Sequence, residues 1–252
     1  MNLRDRVALV TGAAHRLGRA IAAELARAGA RVAVHYGSSR DRAERTVADL
    51  EAAGIEARAF GADLTRPEEV AGLIDRVHEG FGRLDVVVNS AASFVARPLE
   101  EIEAGEWDEV QALNLRAPFL LVRHAASLLR ESDRDGEPAA IVNISDLSAL
   151  NLWTGFAHHG TSKAGLLHLT LVAARELAPA IRVNALVPGA ILPPPGVDPE
   201  TEEWRRRGER VPLGRTGRPD EVARAVRFLA ESDFLTGVVL PVDGGEHLGT
   251  AR

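Results

Sequence analysis

Eight residues near the start, Thr11–Gly18, read Thr-Gly-Ala-Ala-His-Arg-Leu-Gly and join a β-branched apolar run to a helical pattern. Gly12 permits a tight turn, Ala13 and Ala14 let backbone approach, and Gly18 lets the helix pack closely on a sheet. A helix that starts there presents free N–H groups, which bind a pyrophosphate. A loop of this composition can also simply turn the chain; its place after the first strand is where a dinucleotide-binding fold needs it. The end of the second apolar run reads His35-Tyr36-Gly37-Ser38-Ser39-Arg40, with no acid before Asp41 to hold a ribose 2′-hydroxyl. Arg16, His35, Ser38, Ser39 and Arg40 offer donors to a 2′-phosphate instead, so the expected cofactor is NADPH. Arg40 has the plainer alternative of opening a solvated helix. Asp63, followed by Leu64, can accept from an adenine amino group or cap a turn. A third stretch, residues 158–163, reads His-His-Gly-Thr-Ser-Lys, where Lys163 is the only lysine among 30 basic residues. His159 stands one helical turn before it.

The elements that must position these groups alternate strand and helix. Strands are expected at Val7–Val10, Arg31–Tyr36, Glu56–Phe60, Asp85–Asn89, Ala139–Ser145, Ile181–Val187 and Val238–Val242. Helices are expected at Arg19–Ala28, Arg40–Ala53, Pro67–Glu79, Glu106–Leu129, Phe156–Ala178 and Pro219–Ala230. Continuous apolar strands separated by helices predict one α/β domain over residues 1–252, with a doubly wound parallel seven-stranded sheet of Rossmann type covered on both faces. Pro188–Val211, with four prolines between Pro188 and Pro195, reads as irregular and as a substrate-covering loop. The helix carrying Lys163 is apolar nearly all round, so a subunit interface shared with Glu106–Leu129 is expected.

Composition narrows the function. The chain of 252 residues is 46% apolar and has no cysteine, which removes disulfide, thiolate and Cys-ligated metal chemistry; no metal site is expected. A net charge of −6 argues against nucleic-acid and anionic-membrane binding. The first residues lack a signal peptide's apolar stretch and no run reaches membrane-span length, so a cytoplasmic location is expected.

Together these motifs resemble the short-chain dehydrogenase/reductase family over residues 5–248. Thr11–Gly18 is similar to its glycine motif and Asn89-Ser90-Ala91-Ala92 to its Asn-Asn-Ala-Gly motif. Asn114 matches its structural Asn, Pro188-Gly189 its nicotinamide-side turn, and Ser162-Lys163 the end of its Tyr-x-x-x-Lys motif. Within the family the chain most resembles the pteridine reductases and the related dihydromonapterin and dihydrofolate reductases. Arg16 in place of the middle glycine, His35-Tyr36, Asn89–Phe94, Asp146 where most members have Ser, and the run from Trp204 to Arg215 carry that likeness. The resemblance implies cofactor contacts at Gly12, Arg16, Leu17, Gly18, His35, Tyr36, Ser38, Ser39, Arg40, Asp63, Leu64, Asn89, Ala91, Pro188 and Gly189. It implies that Lys163 binds the nicotinamide ribose and biases the proton donor, a task for a compact ammonium. It places substrate against Arg16, Ser93, Phe94, Asp146, Leu192 and Trp204, with Phe94 stacked on a flat bicyclic ring. A homotetramer built on helices 106–129 and 156–178 follows as well.

One departure matters most. The family's catalytic Tyr falls at His159, and the only tyrosine is Tyr36. Carbonyl reduction needs a positioned acid, whereas reduction of a pteridine C=N bond leaves a more basic nitrogen. Asp146, His159, Lys163 and Asn114 are the candidate catalytic group, with His158 a neighbour of His159. Three functions compete: a pteridine reductase-like enzyme, a reductase of another carbonyl such as a 3-oxoacyl thioester, and an NADP-binding protein with impaired catalysis.

Overall fold

In the computed structural model the described residues are 1–132, 136–194, 197–198 and 200–249. Seven strands, β1 Val7–Val10, β2 Arg31–Tyr36, β3 Ala57–Gly61, β4 Val86–Asn89, β5 Ala139–Ile144, β6 Ile181–Pro188 and β7 Val239–Val242, form one sheet in the order β3-β2-β1-β4-β5-β6-β7. Every pairing is parallel. The reason is legible in the strands: β1, β4, β5 and β6 are buried at every position, so both faces must be covered by helices. One face carries α1 Arg16–Arg27 and α8 Pro219–Glu231, packed through Ile21, Leu25, Val226 and Leu229. The other carries α3 Pro67–Phe81 and α5 Ala117–Glu131, packed through Leu73, Ile74, Leu121 and Leu129. The strand order reverses between β1 and its two neighbours, which opens a crevice at the carboxyl ends of β1 and β4.

Several boundaries differ from expectation. α1 starts at Arg16 rather than Arg19 because the glycine loop is already wound into its first turn. The long helix is two, α4 Ala104–Gln111 and α5, joined by a π-helical turn over Ala112–Arg116. That turn holds Asn114, and single π turns commonly mark functional positions. The Pro188–Val211 stretch is not wholly irregular: α7 Glu202–Glu209 forms behind Thr201, whose hydroxyl accepts from Trp204 N. Pro195, Gly196 and Pro199 of that stretch lie outside the described residues. α2 Arg40–Ala52 and α6 Ala157–Leu177 match their predicted spans within a residue. Leu171 and Val172 of α6 face outward, so its second apolar side is not covered within the chain. No helix among the described residues is long and apolar enough to cross a membrane.

Candidate active site

The turn from β1 into α1 is wound as its residues dictate. Gly12 has φ +67°, and a Cβ there would sit 3.0 Å from Ala91 Cα; a Cβ on Gly18 would run into the Gly12 carbonyl. Thr11 Oγ1 accepts from Ser90 N at 2.9 Å and Ala91 N at 3.0 Å, pinning the loop to the end of β4. The N-terminus of α1 therefore opens onto a cavity of about 610 Å³, lined among others by Gly12, Arg16, Leu17, Gly18, Asp63 and Ala91. A cavity lined by the first turn of a helix fits the pyrophosphate of a dinucleotide.

The residues expected at this cavity take different places. Ser38 and Leu64 line it. His35 lines it as a strut: Nδ1 accepts from Gly12 N at 3.1 Å and Nε2 donates to Ala62 O at 3.0 Å. Burial pushes its pKa down to about 4, so the ring is neutral near pH 7. Tyr36 lies over Gly61, and Arg40 is exposed with Nε on Glu44 at 2.7 Å; Tyr36, Ser39 and Arg40 are outside the lining. Asp63 accepts from Thr65 N and Oγ1 at 2.9 and 2.7 Å, bonds that hold its carboxyl below the usual range. His15 was not singled out by sequence, yet it lines the cavity, and its Nδ1 is buried without a partner among the described residues. Burial, then Arg42 and Arg16, lower its pKa. Arg42 is brought near by α2, where Thr46, one turn on, donates to Ala14 O. Asn89 Nδ2 donates to Asn143 Oδ1 at 2.7 Å, while its Oδ1 is a buried acceptor with no partner among the described residues.

At the other end of the crevice β5, α6 and the π turn converge. Asp146 follows β5 and caps a short turn: Oδ1 accepts from Ser148 N at 2.8 Å and from Ser148 Oγ. Its Oδ2 meets Nε2 of His159. Burial alone would raise the Asp146 pKa, but the hydrogen bond and charge of His159, the charge of Lys163 and the Ser148 bond outweigh it and hold the carboxyl below its usual range. His159 Nδ1 lies 3.0 Å from Ser93 O and 3.3 Å from Asn114 Nδ2. Asn114 also accepts from Ser93 N at 2.9 Å and donates to Ser162 Oγ at 3.2 Å, clamping the loop after β4 to α6. Lys163 is buried, with Nζ donating to Ile144 O at 2.9 Å; burial lowers its pKa and the Asp146 charge opposes that. Phe94 is 48% exposed, so it is not a core residue. It stacks on Phe156 at 4.7 Å and meets His159 edge-on at 4.9 Å, with Trp153 at 6.4 Å. Trp153 and Phe156 were not singled out by sequence; their signal was only nearness to Asp146 and His159 along the chain.

The family model described as enoyl-(acyl carrier protein) reductase matches residues 12–247. The chain belongs to the short-chain dehydrogenase/reductase family. It is an oxidoreductase of that family, similar to a 3-oxoacyl-[acyl-carrier-protein] reductase of Staphylococcus epidermidis, 36% identical over 97% of this chain and 100% of the relative. Among solved structures it is similar to a short-chain dehydrogenase/reductase from Burkholderia xenovorans, with TM-score 0.90, 33% identity and 97% and 99% of the two chains covered. It is also similar to FolM alternative dihydrofolate reductase 1 from Brucella canis, complexed with NADP, with TM-score 0.89, 31% identity and 100% and 98% covered. In this short-chain dehydrogenase/reductase the segment after β6 starts tightly: Gly189 N donates to Val242 O at 3.1 Å, and a Cβ on Gly189 would crowd Asp243. Pro188 is buried at the strand end. Leu192 and Trp204 line a second cavity of about 540 Å³ that shares no residue with the first. Arg16 reaches between the two, with Nη2 donating to Pro193 O at 2.6 Å.

Proposed function

We propose that the protein is an NADPH-dependent, pteridine reductase-like enzyme that reduces a C=N bond of a dihydropterin or dihydrofolate. The observation that carries this reading is the hydrogen-bonded pair Asp146–His159, standing where the resemblance expects Ser and Tyr. Ketone reduction ends on an alkoxide and calls for an acid in place, whereas the nitrogen left by C=N reduction is more basic and takes its proton from water. When bound, NADPH supplies the hydride.

The residues divide the work. First-turn N–H groups at Arg16, Leu17 and Gly18 would hold the pyrophosphate. Arg16, His15 and Ser38, with Arg42 behind, would surround a 2′-phosphate. Asp63 and Leu64 would face the adenine, Asn89, Ala91 and Lys163 the nicotinamide ribose side, and Pro188-Gly189 the nicotinamide. Phe94 would cover the flat substrate, and Asn114 holds Ser93 and His159 in register. Residues 188–211 would close over the substrate. Residues 1–252 act as one cofactor-binding unit, and subunits pair through α4–α5 and α6, where Phe119, Leu171 and Val172 are exposed.

The deciding assay is NADPH consumption with dihydrobiopterin, dihydrofolate and an acetoacetyl thioester side by side. Oxidation with the pterin is expected. Turnover of the thioester alone would favour carbonyl reduction, which the name of the Staphylococcus relative supports. NADPH binding with no turnover would leave the impaired-catalysis reading.

A further inference from the structure

The His159 imidazole and the Lys163 ammonium are both withdrawn from solvent. His159 is 2% exposed, its nitrogens facing Asp146 Oδ2 on one side and Ser93 O and Asn114 Nδ2 on the other. Lys163 is buried and donates to Ile144 O. Asp146 does reach solvent, and its carboxylate is an acceptor. The Asp146 side chain is 19% exposed; Oδ1 accepts twice from Ser148, whereas Oδ2 keeps a lone pair beyond its bond to His159. Phe94 adjoins it through His159 and is backed by Phe156 and Trp153. Aromatic faces carry negative potential. A carboxylate beside such rings suits a cation better than a neutral carbonyl awaiting a proton.

We propose that the Asp146 site takes small planar iminium ions, substrates that bring their positive charge with them, and reduces them without donating a proton. This rests on the NADPH-dependent reductase reading and names the substrate class of the same site. The chemistry balances: the iminium carbon accepts the hydride that NADPH supplies, its C=N π pair becomes the nitrogen lone pair, and a neutral amine and NADP+ remain. Asp146 is the residue that meets the cation. Ser148 from the turn after β5, and His159 and Lys163 from α6, are the groups that face Asp146; they keep it ionised and oriented. A ketone gains neither attraction nor an acid.

The probe is N-methyl-dihydroisoquinolinium, a permanent cation, against tetralone, a neutral ketone of the same size. Binding to the NADP+-loaded enzyme is read from tryptophan fluorescence, and reduction from NADPH oxidation. The cation should bind and be reduced at a rate that is flat between about pH 6 and 9, since no proton is needed. Tetralone should be turned over at least about a hundredfold more slowly. Asp146→Asn and Asp146→Ser should each weaken cation binding by about tenfold or more while NADP+ affinity holds. Cation binding indifferent to both substitutions, or tetralone reduced faster than the cation, would overturn the inference. Asp146-dependent cation binding without NADPH oxidation would overturn the reductase reading beneath it and the proposed activity with it.

Discussion

Replacing His159 by Tyr changes which atom meets the substrate. The imidazole ends against Asp146, whereas a phenol from the same helical position carries its hydroxyl farther out and supplies an acid. His159→Tyr should therefore raise kcat/KM for an acetoacetyl thioester by about a hundredfold; no gain in a folded variant would count against His159 occupying the Tyr site. Arg16 is a second test at this scale. It holds φ +52°, a left-handed conformation that costs a non-glycine residue about 1 kcal/mol. Arg16→Gly relieves that strain, and glycine's extra chain entropy and the lost bond to Pro193 O offset the gain. The melting temperature should stay nearly constant while the preference for NADPH over NADH falls by about tenfold or more, measured as the ratio of dissociation constants. Equal loss for both cofactors would sink the 2′-phosphate role. The likeness of residues 11–18 and 89–92 to short-chain dehydrogenase/reductase motifs was readable from type and order alone. That His35 is a strut rather than a free donor was not, because its partners, Gly12 N and Ala62 O, come from two other loops.

The strut has a pH signature that belongs to the elements it ties together, the β1–α1 and β3–α3 loops. The folded pKa of His35 lies below the ordinary 6.5, at about 4. Between those values the unfolded chain binds more protons, so stability is lost as pH falls from about 6.5 toward 4, by about 3 kcal/mol in all. Urea midpoints should show this fall in the native protein and lose most of it in His35→Gln. α7 poses a different question. Its sequence, EEWRRRGE, offers one large apolar side chain, too little to dock a two-turn helix by burial. Its ion pairs at Arg205 and Arg206 stay within the helix, on Glu202. Arg207 instead pairs with Glu246 near the C-terminus, and Gly208 packs tightly on the backbone of Arg215 and Thr216. Glu246→Gln should loosen α7, read as several-fold faster trypsin cleavage after Arg205–Arg210 with little change in melting temperature. Unchanged cleavage would mean that the Gly208 contact suffices. Sequence periodicity missed this helix because its support is tertiary.

Across the whole molecule, α5 and α6 carry outward apolar residues on the face proposed to pair subunits. Phe119 is 46% and Leu171 46% exposed, on the helices expected to pair subunits. Leu171→Arg should lower the mass seen by light scattering from a tetramer to smaller species, because a buried unpaired charge at such a contact is costly. A native protein that is already monomeric would remove the interface reading. The sequence by itself determined the parallel sheet, its doubly wound covering and the place of the phosphate loop. Those follow from local rules: apolar runs of strand length, helical spacing between them, and glycines where a Cβ has no room. Only the tertiary structure decided what the chemistry-bearing side chains point at. Asp146, His159, Asn114 and Ser93 come from separate elements, and a hydrogen bond between them depends on how those elements pack, which no local pattern encodes. The same holds for His15 beside Arg42, joined because α2 lies on the phosphate loop.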